Sequence, residues 1–183
     1  MRVIYFLLLI FSSLSAFSQN DTTLTFQEVV KADSIKANEL FNRARMWVND
    51  NFKSGKEVIQ INDKETGTLT GKANLKISYS YKFYGETSGE TDYSFTFKIL
   101  VKDEKYKYEF TNFENVNGFI GAIDSRIGIL TSKKDCPLKW TGWPQRAMNE
   151  IWDSSKKSLE IKMSQLTNSL KAIMLSRQSL NEF

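Results

Sequence analysis

Strict alternation of apolar and polar residues over three successive segments constrains the fold of this chain more than any other feature. Residues 75–83, 93–101 and 106–110 place an apolar side chain, most often an aromatic one, at every second position. A period of two predicts β-strands with one buried and one solvent-facing side. The three segments are joined only by a polar hairpin loop at Gly85 to Glu90 and a short turn at 103–104, so we predict antiparallel neighbours.

The residues before these segments predict a strand followed by a helix. Residues 22–31 are rich in β-branched and aromatic side chains and favour a strand. Apolar residues then recur at helical spacing over 37–48. Asp33 or Ser34 is the predicted N-cap of this helix, because both residue types accept hydrogen bonds from a free helix N-terminus.

A second short strand is predicted at residues 56–62. Asp63 to Gly67 has the composition of a tight turn, with glycine where a positive φ costs little. Leu69 opens the next strand, in which Gly71 is expected to mark an irregularity.

The C-terminal third divides into an irregular segment and a long helix. Residues 118–144 contain most of the glycines that follow the strands and are predicted to form an irregular loop. Pro144 is suited to the first helical position, and residues 145–180 carry an apolar stripe that Ser155 interrupts. The predicted order is β-α-β-β-β-β-α in one α+β domain, with a single antiparallel sheet and two helices on one face. A helix-grip-like arrangement is the alternative.

Residues 1–18 have the composition of a cleaved signal peptide. An unbroken apolar run at residues 3–11 follows a positive start, and Ala16 and Ser18 supply the small side chains of a cleavage site. The run is shorter than the roughly 20 residues that span a bilayer, so an uncleaved anchor is the less favoured alternative. We predict an exported domain of residues 19–183, periplasmic or extracellular, with no membrane span after removal of the signal.

The 183 residues include no histidine and a single cysteine, Cys136. Without histidine, Ser-His-Asp and Cys-His catalysis and the zinc sites that contain histidine are excluded. One cysteine excludes a disulfide within the monomer and leaves either a buried thiol or a bridge between two chains. The chain has no calcium-loop, phosphate-loop or CxxC motif. We therefore predict a protein without a cofactor that is not an enzyme.

Four blocks of sequence share their residues and spacing with one known family. They are Leu40-Phe41-Asn42-Arg43-Ala44 with Trp47, Asp63-x-x-x-Gly67-x-Leu69-x-Gly71, Phe95-x-Phe97-x-Ile99-x-Val101-Lys102-Asp103, and Lys105-Tyr106-Lys107-Tyr108-x-Phe110. Here, and in its long C-terminal helix, the chain resembles a bacterial family of exported proteins of unknown function with a TATA-binding-protein-like (TBP-like) fold. The resemblance implies a curved antiparallel sheet with helices on one face. It implies no activity.

The solvent-facing side of the predicted sheet is rich in lysine. Lys76, Lys82, Lys98 and Lys107 form a candidate surface for a polyanion such as an acidic glycan. Nucleic acid is not the predicted partner, because the aromatic residues that would stack on bases fall on the opposite side and the net charge is only +4. The alternative is a solvated face whose lysines keep sheet edges from aggregating.

The aromatic side of the sheet is predicted to be the core, with one alternative. Tyr79, Tyr81, Tyr106 and Tyr108 alternate with the phenylalanines of this side, and a buried hydroxyl needs a polar partner. In the alternative, these four tyrosines line an apolar pocket between the sheet and the long helix, where a small ligand is carried.

The string Trp140-Thr141-Gly142-Trp143-Pro144 is the most unusual local feature of the chain. Tryptophan is enriched at the energetic centres of interfaces, so Trp140 and Trp143 are candidate partner-binding residues. The alternative is a hydrophobic clamp that fixes the start of the long helix.

These features predict an exported, non-catalytic module that binds a protein or a component of the cell envelope. A carrier of a small apolar ligand and a weak polyanion binder are the two alternative functions. Exposure of the tryptophans would favour the first function, a cavity behind the sheet the second, and an affinity that falls as salt rises the third.

Overall fold

The computed structural model describes residues 23–52, 58–118 and 126–176, and the predicted signal peptide lies outside this part of the chain. The order predicted from the sequence is confirmed. Its elements are β1 (Phe26–Lys31), α1 (Ala37–Asn51), β2 (Ile59–Asp63), β3 (Thr68–Lys82), β4 (Glu86–Lys102), β5 (Lys105–Asn115) and α2 (Gln145–Met174). The strands form one antiparallel sheet in the order β1-β5-β4-β3-β2.

One face of the sheet carries the core, as the alternation predicted. Every second residue of β4 from Thr91 to Val101 is buried, and the intervening residues face solvent to a greater degree. The helices bring their apolar stripes to the same core, where Trp47 of α1 meets Phe110 of β5 with ring centroids 6.1 Å apart. The largest fully buried side chains are Trp47, Trp152, Tyr93, Tyr106, Phe41, Phe95, Phe97, Phe110, Phe113, Leu40 and Leu69.

Two glycines fix the hairpin between β2 and β3. Gly67 has a φ of +67°, and the carboxylate of Asp63 accepts the N–H groups of the turn residues Glu65 and Thr66. At Gly71 a β-carbon would lie 2.1 Å from the carbonyl oxygen of Val58, so only glycine lets the strands approach this closely. The register shifts beside it, which confirms the predicted irregularity.

Several predicted boundaries are wrong by a few residues. The hairpin loop predicted at Gly85 to Glu90 is shorter, because Lys82 pairs with Glu86 and β4 already begins there. The first strand begins at Phe26 rather than at residue 22. Pro144 occupies the N-cap of α2 rather than its first turn. Strand pairing across the sheet decides these limits, and a local run of residues carries little information about it.

α2 also runs along the free edge of β3. Beyond the short strand β2, outward N–H groups of β3 donate to α2 side chains. The donor and acceptor residues are Ser78 to Ser158 (3.0 Å), Ser80 to Ser154 (3.0 Å) and Lys82 to Glu150 (2.6 Å). Because an exposed strand edge invites pairing with another chain, these contacts complete the sheet.

Each helix has one end held by a residue that is distant in sequence. Asp33 and Ser34, the predicted N-caps of α1, do not cap it. The N-cap is Lys36, and the first helical N–H, at Ala37, donates to the carboxylate of Asp103 at 2.9 Å. Asp103 lies in the β4–β5 turn, and it also binds the Lys36 ammonium at 3.2 Å.

The far end of α2 is bound by Arg43, a buried residue of α1. Its guanidinium donates to the carbonyl oxygen of Met174 at 2.8 Å and forms an ion pair with Glu39 at 2.5 Å. The last carbonyls of a helix have no partner within the helix, so a cation there satisfies both hydrogen bonding and the helix dipole.

We predict that Asp103→Ala destabilises the fold at neutral pH and shifts the urea midpoint downward. The Ala37 N–H and the Lys36 ammonium hold the pKa of Asp103 below its ordinary value. A lowered folded-state pKa contributes stability above the unfolded pKa of about 3.9, and this stability is lost as pH falls through the folded value. The gap between wild type and variant therefore closes below about pH 4.

Asp33→Ala is the matched control, because it removes an exposed carboxylate from the same helix start without removing a cap. Urea titrations at pH 7 and pH 3 measure both variants. Equal midpoints for wild type and Asp103→Ala at pH 7 would contradict the assigned cap.

Candidate functional site

An aromatic cluster lies where the β3–β4 hairpin meets the start of α2. We call it the aromatic end cluster and define it as Tyr81, Phe83, Tyr84, Trp140 and Trp143. Trp143 is at its centre, with ring centroids 5.3 Å from Tyr81, 5.1 Å from Phe83 and 5.5 Å from Trp140. The cluster joins the end of the sheet to the segment that precedes α2.

A tight turn holds the two tryptophans together. The N–H of Trp143 donates to the carbonyl of Trp140 at 3.1 Å, and Gly142 has a φ of +79°. A positive φ at the third position is what a type II turn requires. The next residue, Pro144, accepts the N–H groups that begin α2. Trp143 thus packs as a hydrophobic clamp at the start of α2, which is one of the two alternatives predicted from the sequence.

The cluster is only partly covered, however. Trp140, Trp143 and Phe83 are half-buried, and the side chain of Tyr84 is 96% exposed although its ring packs 4.3 Å from that of Phe83. Leu138, in the segment leading to the turn, is 40% exposed. Clamp and binding surface are therefore compatible, because the same rings pack inward on one side and face solvent on the other.

The segment before the turn is anchored along α2. The carbonyl of Lys133 accepts from the Trp152 indole at 2.9 Å and from the Lys156 ammonium at 2.7 Å. Three residues later in the chain, the N–H of Cys136 donates to the side chain of Asn149 at 3.1 Å. These contacts give the described part of the predicted irregular loop a defined path towards the aromatic end cluster.

The four candidate polyanion lysines do not form one uniform surface. Lys76 and Lys82 lie toward the β3–β4 hairpin and face Asp92 and Glu86 at 3.2 and 4.0 Å. Lys107 lies toward the other end of the sheet and pairs with Glu109 at 3.2 Å. Lys98 is opposite Glu109 across the strand pair. The cross-strand register thus places a carboxylate opposite Lys76, Lys82 and Lys98, and Lys107 pairs with a carboxylate of its own strand.

The four candidate pocket tyrosines are buried, but the structure does not bring them together. Tyr108 is in register with Ile99 and, through it, with Leu69 of β3. Tyr79 lies ten residues further along β3, which corresponds to about 33 Å at about 3.3 Å per residue. Tyr79 and Tyr81 therefore form one group at the hairpin end, and Tyr106 and Tyr108 form another at the opposite end.

Tyr108, at the opposite end, has protein partners. The Tyr108 hydroxyl donates to the Glu28 carboxylate at 2.8 Å, and Lys171 of α2 binds the same carboxylate at 2.6 Å. Burial, together with the bond to Glu28, raises the pKa of Tyr108 to about 12. The hydrogen bonds from Lys171 and Tyr108 lower the pKa of Glu28. A tyrosine with a raised pKa is a poor general base near neutral pH. The contacts among Tyr108, Glu28 and Lys171 therefore serve structure, because they join β1 to α2.

Three open grooves on the described surface have volumes of about 350, 460 and 390 Å³. None of the three is lined by more than one of the four tyrosines. The groove beside α2's first turns is lined by Ser80, Tyr81, Lys82, Glu86, Glu150, Asp153, Ser154 and Lys157. Within residues 23–52, 58–118 and 126–176, no group of three metal-binding side chains is present, and no helix is long and apolar enough to cross a membrane.

Cys136 is buried against the core, where desolvation raises the pKa of its thiol. Two other buried polar side chains, Tyr93 of β4 and Ser155 of α2, lie close to each other, and burial raises the pKa of Tyr93 as well. Ser155 interrupts the apolar stripe of α2 because it faces this tyrosine. The thiol is placed as a packing residue and not as an exposed bridge.

Comparison with known proteins places the chain in a structural family. Residues 26–115, from β1 to the end of β5, match the model of DUF4468, described as a domain of unknown function with TBP-like fold. These residues are a DUF4468 domain. The resemblance inferred from the four sequence blocks is thereby confirmed, as is the TBP-like fold in preference to the helix-grip alternative.

Two solved structures extend the likeness beyond the DUF4468 domain. A DUF4468 family protein from Bacteroides ovatus aligns with a TM-score of 0.57 at 12% identity, covering 92% of this chain and 95% of that one. A TBP-like protein from Parabacteroides distasonis aligns with a TM-score of 0.52 at 12% identity, covering 81% and 93%. Identity this low supports a shared fold and nothing further. No curated protein matches the sequence.

We predict that Cys136 reacts slowly with a thiol reagent in the folded protein. Only the thiolate reacts, and burial both raises the thiol pKa and blocks access, so the rate should fall at least about tenfold relative to the unfolded chain. Absorbance of the released thiolate from Ellman's reagent, with and without guanidinium, measures this. Equal rates, or a dimer on a non-reducing gel, would contradict a buried thiol.

Proposed function

We propose that the chain is an exported, non-catalytic module that binds a protein or another component of the cell envelope through the aromatic end cluster. The observation that carries this proposal is the half-buried pair Trp140 and Trp143 beside the fully exposed ring of Tyr84. Rigid aromatic rings at a surface offer a large apolar contact at low entropic cost, which is why they dominate binding energy at interfaces.

The way the tryptophans are held supports binding through them. The Trp140–Trp143 turn and the packing of Trp143 on Phe83 and Tyr81 fix the rings before any partner arrives. A preorganised surface loses little conformational freedom on binding, so more of its contact energy appears as affinity. Exposed Leu138 widens the apolar area beside the turn.

A catalytic role has less support. The chain has no histidine. In the groove beside α2, Glu150 accepts the N–H of Lys82 and Asp153 pairs with Lys157, so both acids already serve structural contacts. Among the described residues, no two acidic side chains are identified in the contrasting environments that would make one a general acid and the other a base or nucleophile in hydrolysis. A ligand carrier also has less support, because the tyrosines proposed to line its pocket lie at opposite ends of the sheet.

Export is the first part of the proposal to be tested. When the full chain is expressed in a Gram-negative host, intact-mass measurement of the periplasmic fraction should show a protein that lacks residues 1–18. Ala16→Arg places a large cation in the cleavage site and should leave the precursor uncleaved. A full-length mass in the cytoplasm for the wild-type chain would overturn export and leave the binding surface to be judged separately.

Binding through the cluster is tested by photo-crosslinking in the cell of origin. A benzophenone amino acid in place of Tyr84 should yield a discrete adduct in the envelope fraction. The same amino acid in place of Ile161, which is 62% exposed on α2, is the control and should yield none. Adducts of equal yield from both positions, or none from position 84, would refute this surface.

Trp143→Ala in the Tyr84-labelled chain should reduce adduct yield at least about tenfold, the loss typical of an interface centre. Because Trp143 also packs on Phe83, Trp143→Phe serves as the matched variant that keeps a ring in the clamp. Circular dichroism establishes that each variant is folded. A folded Trp143→Ala protein with undiminished crosslinking would show that the tryptophan is a clamp alone.

A further inference from the structure

Cross-strand register groups lysines that are distant in sequence into one row. Lys31 of β1 is directly opposite Lys105 of β5, and Lys105 is directly opposite Lys102 of β4. We call these three residues the basic row. All three are exposed and lie on the open face of the sheet, at the end that carries the β4–β5 turn. Neighbouring strands are about 4.8 Å apart, so the row spans about 10 Å.

Like charges directly opposite one another destabilise a sheet. None of the three lysines forms an ion pair with any residue in the described ranges. Of the two acids in the adjoining turn, Asp103 is engaged by Ala37 and Lys36, and Glu104 has no ion pair within the described residues. The three lysines outnumber the one acid of the turn that forms no ion pair among the described residues, so the row carries a net positive charge.

The other end of the open face has the opposite character. Acidic side chains there outnumber the two lysines, Lys76 and Lys82, which are themselves in ion pairs. The acids on this part of the open face are Glu86, Glu90, Asp92 and Glu114. The open face is thus polarised along its strands, and an anion approaching it is directed to the basic row.

We propose that the basic row binds an acidic polysaccharide, with its ammonium groups on successive carboxylate or sulfate groups of the chain. The backbones that carry these lysines are about 4.8 Å apart on neighbouring strands, and their long side chains can reach anionic groups that repeat at the scale of a sugar ring. This site is separate from the aromatic end cluster, which lies at the other end of the sheet. The proposal thus goes beyond the proposed function and does not depend on it.

The surroundings of the row favour a glycan over other polyanions. Nucleic acid binding without base readout uses exposed aromatic rings, and the aromatic residues of these strands face the core. Anionic membranes are bound by clusters of four to eight basic residues, and the next lysine, Lys107, is already paired with Glu109. Among the described residues, Val29 is a large apolar side chain that is exposed beside the row.

The test compares two triple variants with the same loss of charge. Lys31→Gln/Lys102→Gln/Lys105→Gln removes the basic row. Lys76→Gln/Lys82→Gln/Lys157→Gln removes three exposed lysines from the other end of the molecule. Affinities for heparin and for polygalacturonate are measured by calorimetry at low and moderate salt, with single-stranded DNA and anionic vesicles as comparison probes.

Wild type should bind both glycans with an affinity that falls steeply as salt rises. Removing the row should weaken binding at least about tenfold at low salt and flatten the logarithmic salt dependence by about two units or more, since each released counterion contributes a little under one unit. The control triple should change affinity less than about twofold.

Absence of binding to both glycans, equal losses in the two triples, or tighter binding of DNA or vesicles than of either glycan would each overturn the proposal. The row variant should also unfold at the same or a higher temperature than wild type, because it relieves repulsion across the strands. A lower unfolding temperature would show that the lysines stabilise the sheet and would count against a ligand site. None of these results bears on crosslinking at position 84.

Discussion

The rest of the structure depends on the hydrogen bonds that α2 makes with the free edge of β3. Acceptors at Glu150, Ser154 and Ser158 are spaced four residues apart on the helix, about 6 Å. The N–H groups that they meet are spaced two residues apart on the strand, about 6.6 Å. This near match lets a helix take the place of a neighbouring strand over three successive bonds. It also fixes the position of α2, which covers the core and begins beside the aromatic end cluster.

Both helices are then held at their ends by residues from other elements. Asp103 binds the start of α1 across 66 residues of sequence, and Arg43 binds the end of α2 across 131. The start of α1 is therefore completed only when the β4–β5 turn has formed, and the end of α2 only when it packs against α1. We therefore expect the helices and the sheet to form together, because the N-cap residue of neither helix makes a side-chain cap.

The distinction between local and distant contacts explains how much of the molecule was predictable. Alternation along β3, β4 and β5 identifies the strands and the buried face, because periodicity is a property of one segment. The capping of α1 by Asp103 and the proximity of Ser155 to Tyr93 cannot be predicted from one segment, since they depend on which elements pack together. The same distinction applies to the four tyrosines: Tyr79 and Tyr108 share a face, and only the register shows that they lie far apart on it.

Register also decides which surface charges act together. Sequence places Lys76 and Lys98 on one face without distinguishing them, although strand pairing sets Lys76 opposite Asp92 and Lys98 opposite Glu109. The same pairing brings Lys31 next to Lys105 from opposite ends of the domain's sequence. Surface lysines that are individually unremarkable become a concentrated charge only after the sheet has formed. The basic row and the outward rings of the aromatic end cluster are two exposed features that the core does not require. They lie at opposite ends of one sheet, so the two proposed ligands would not compete for space.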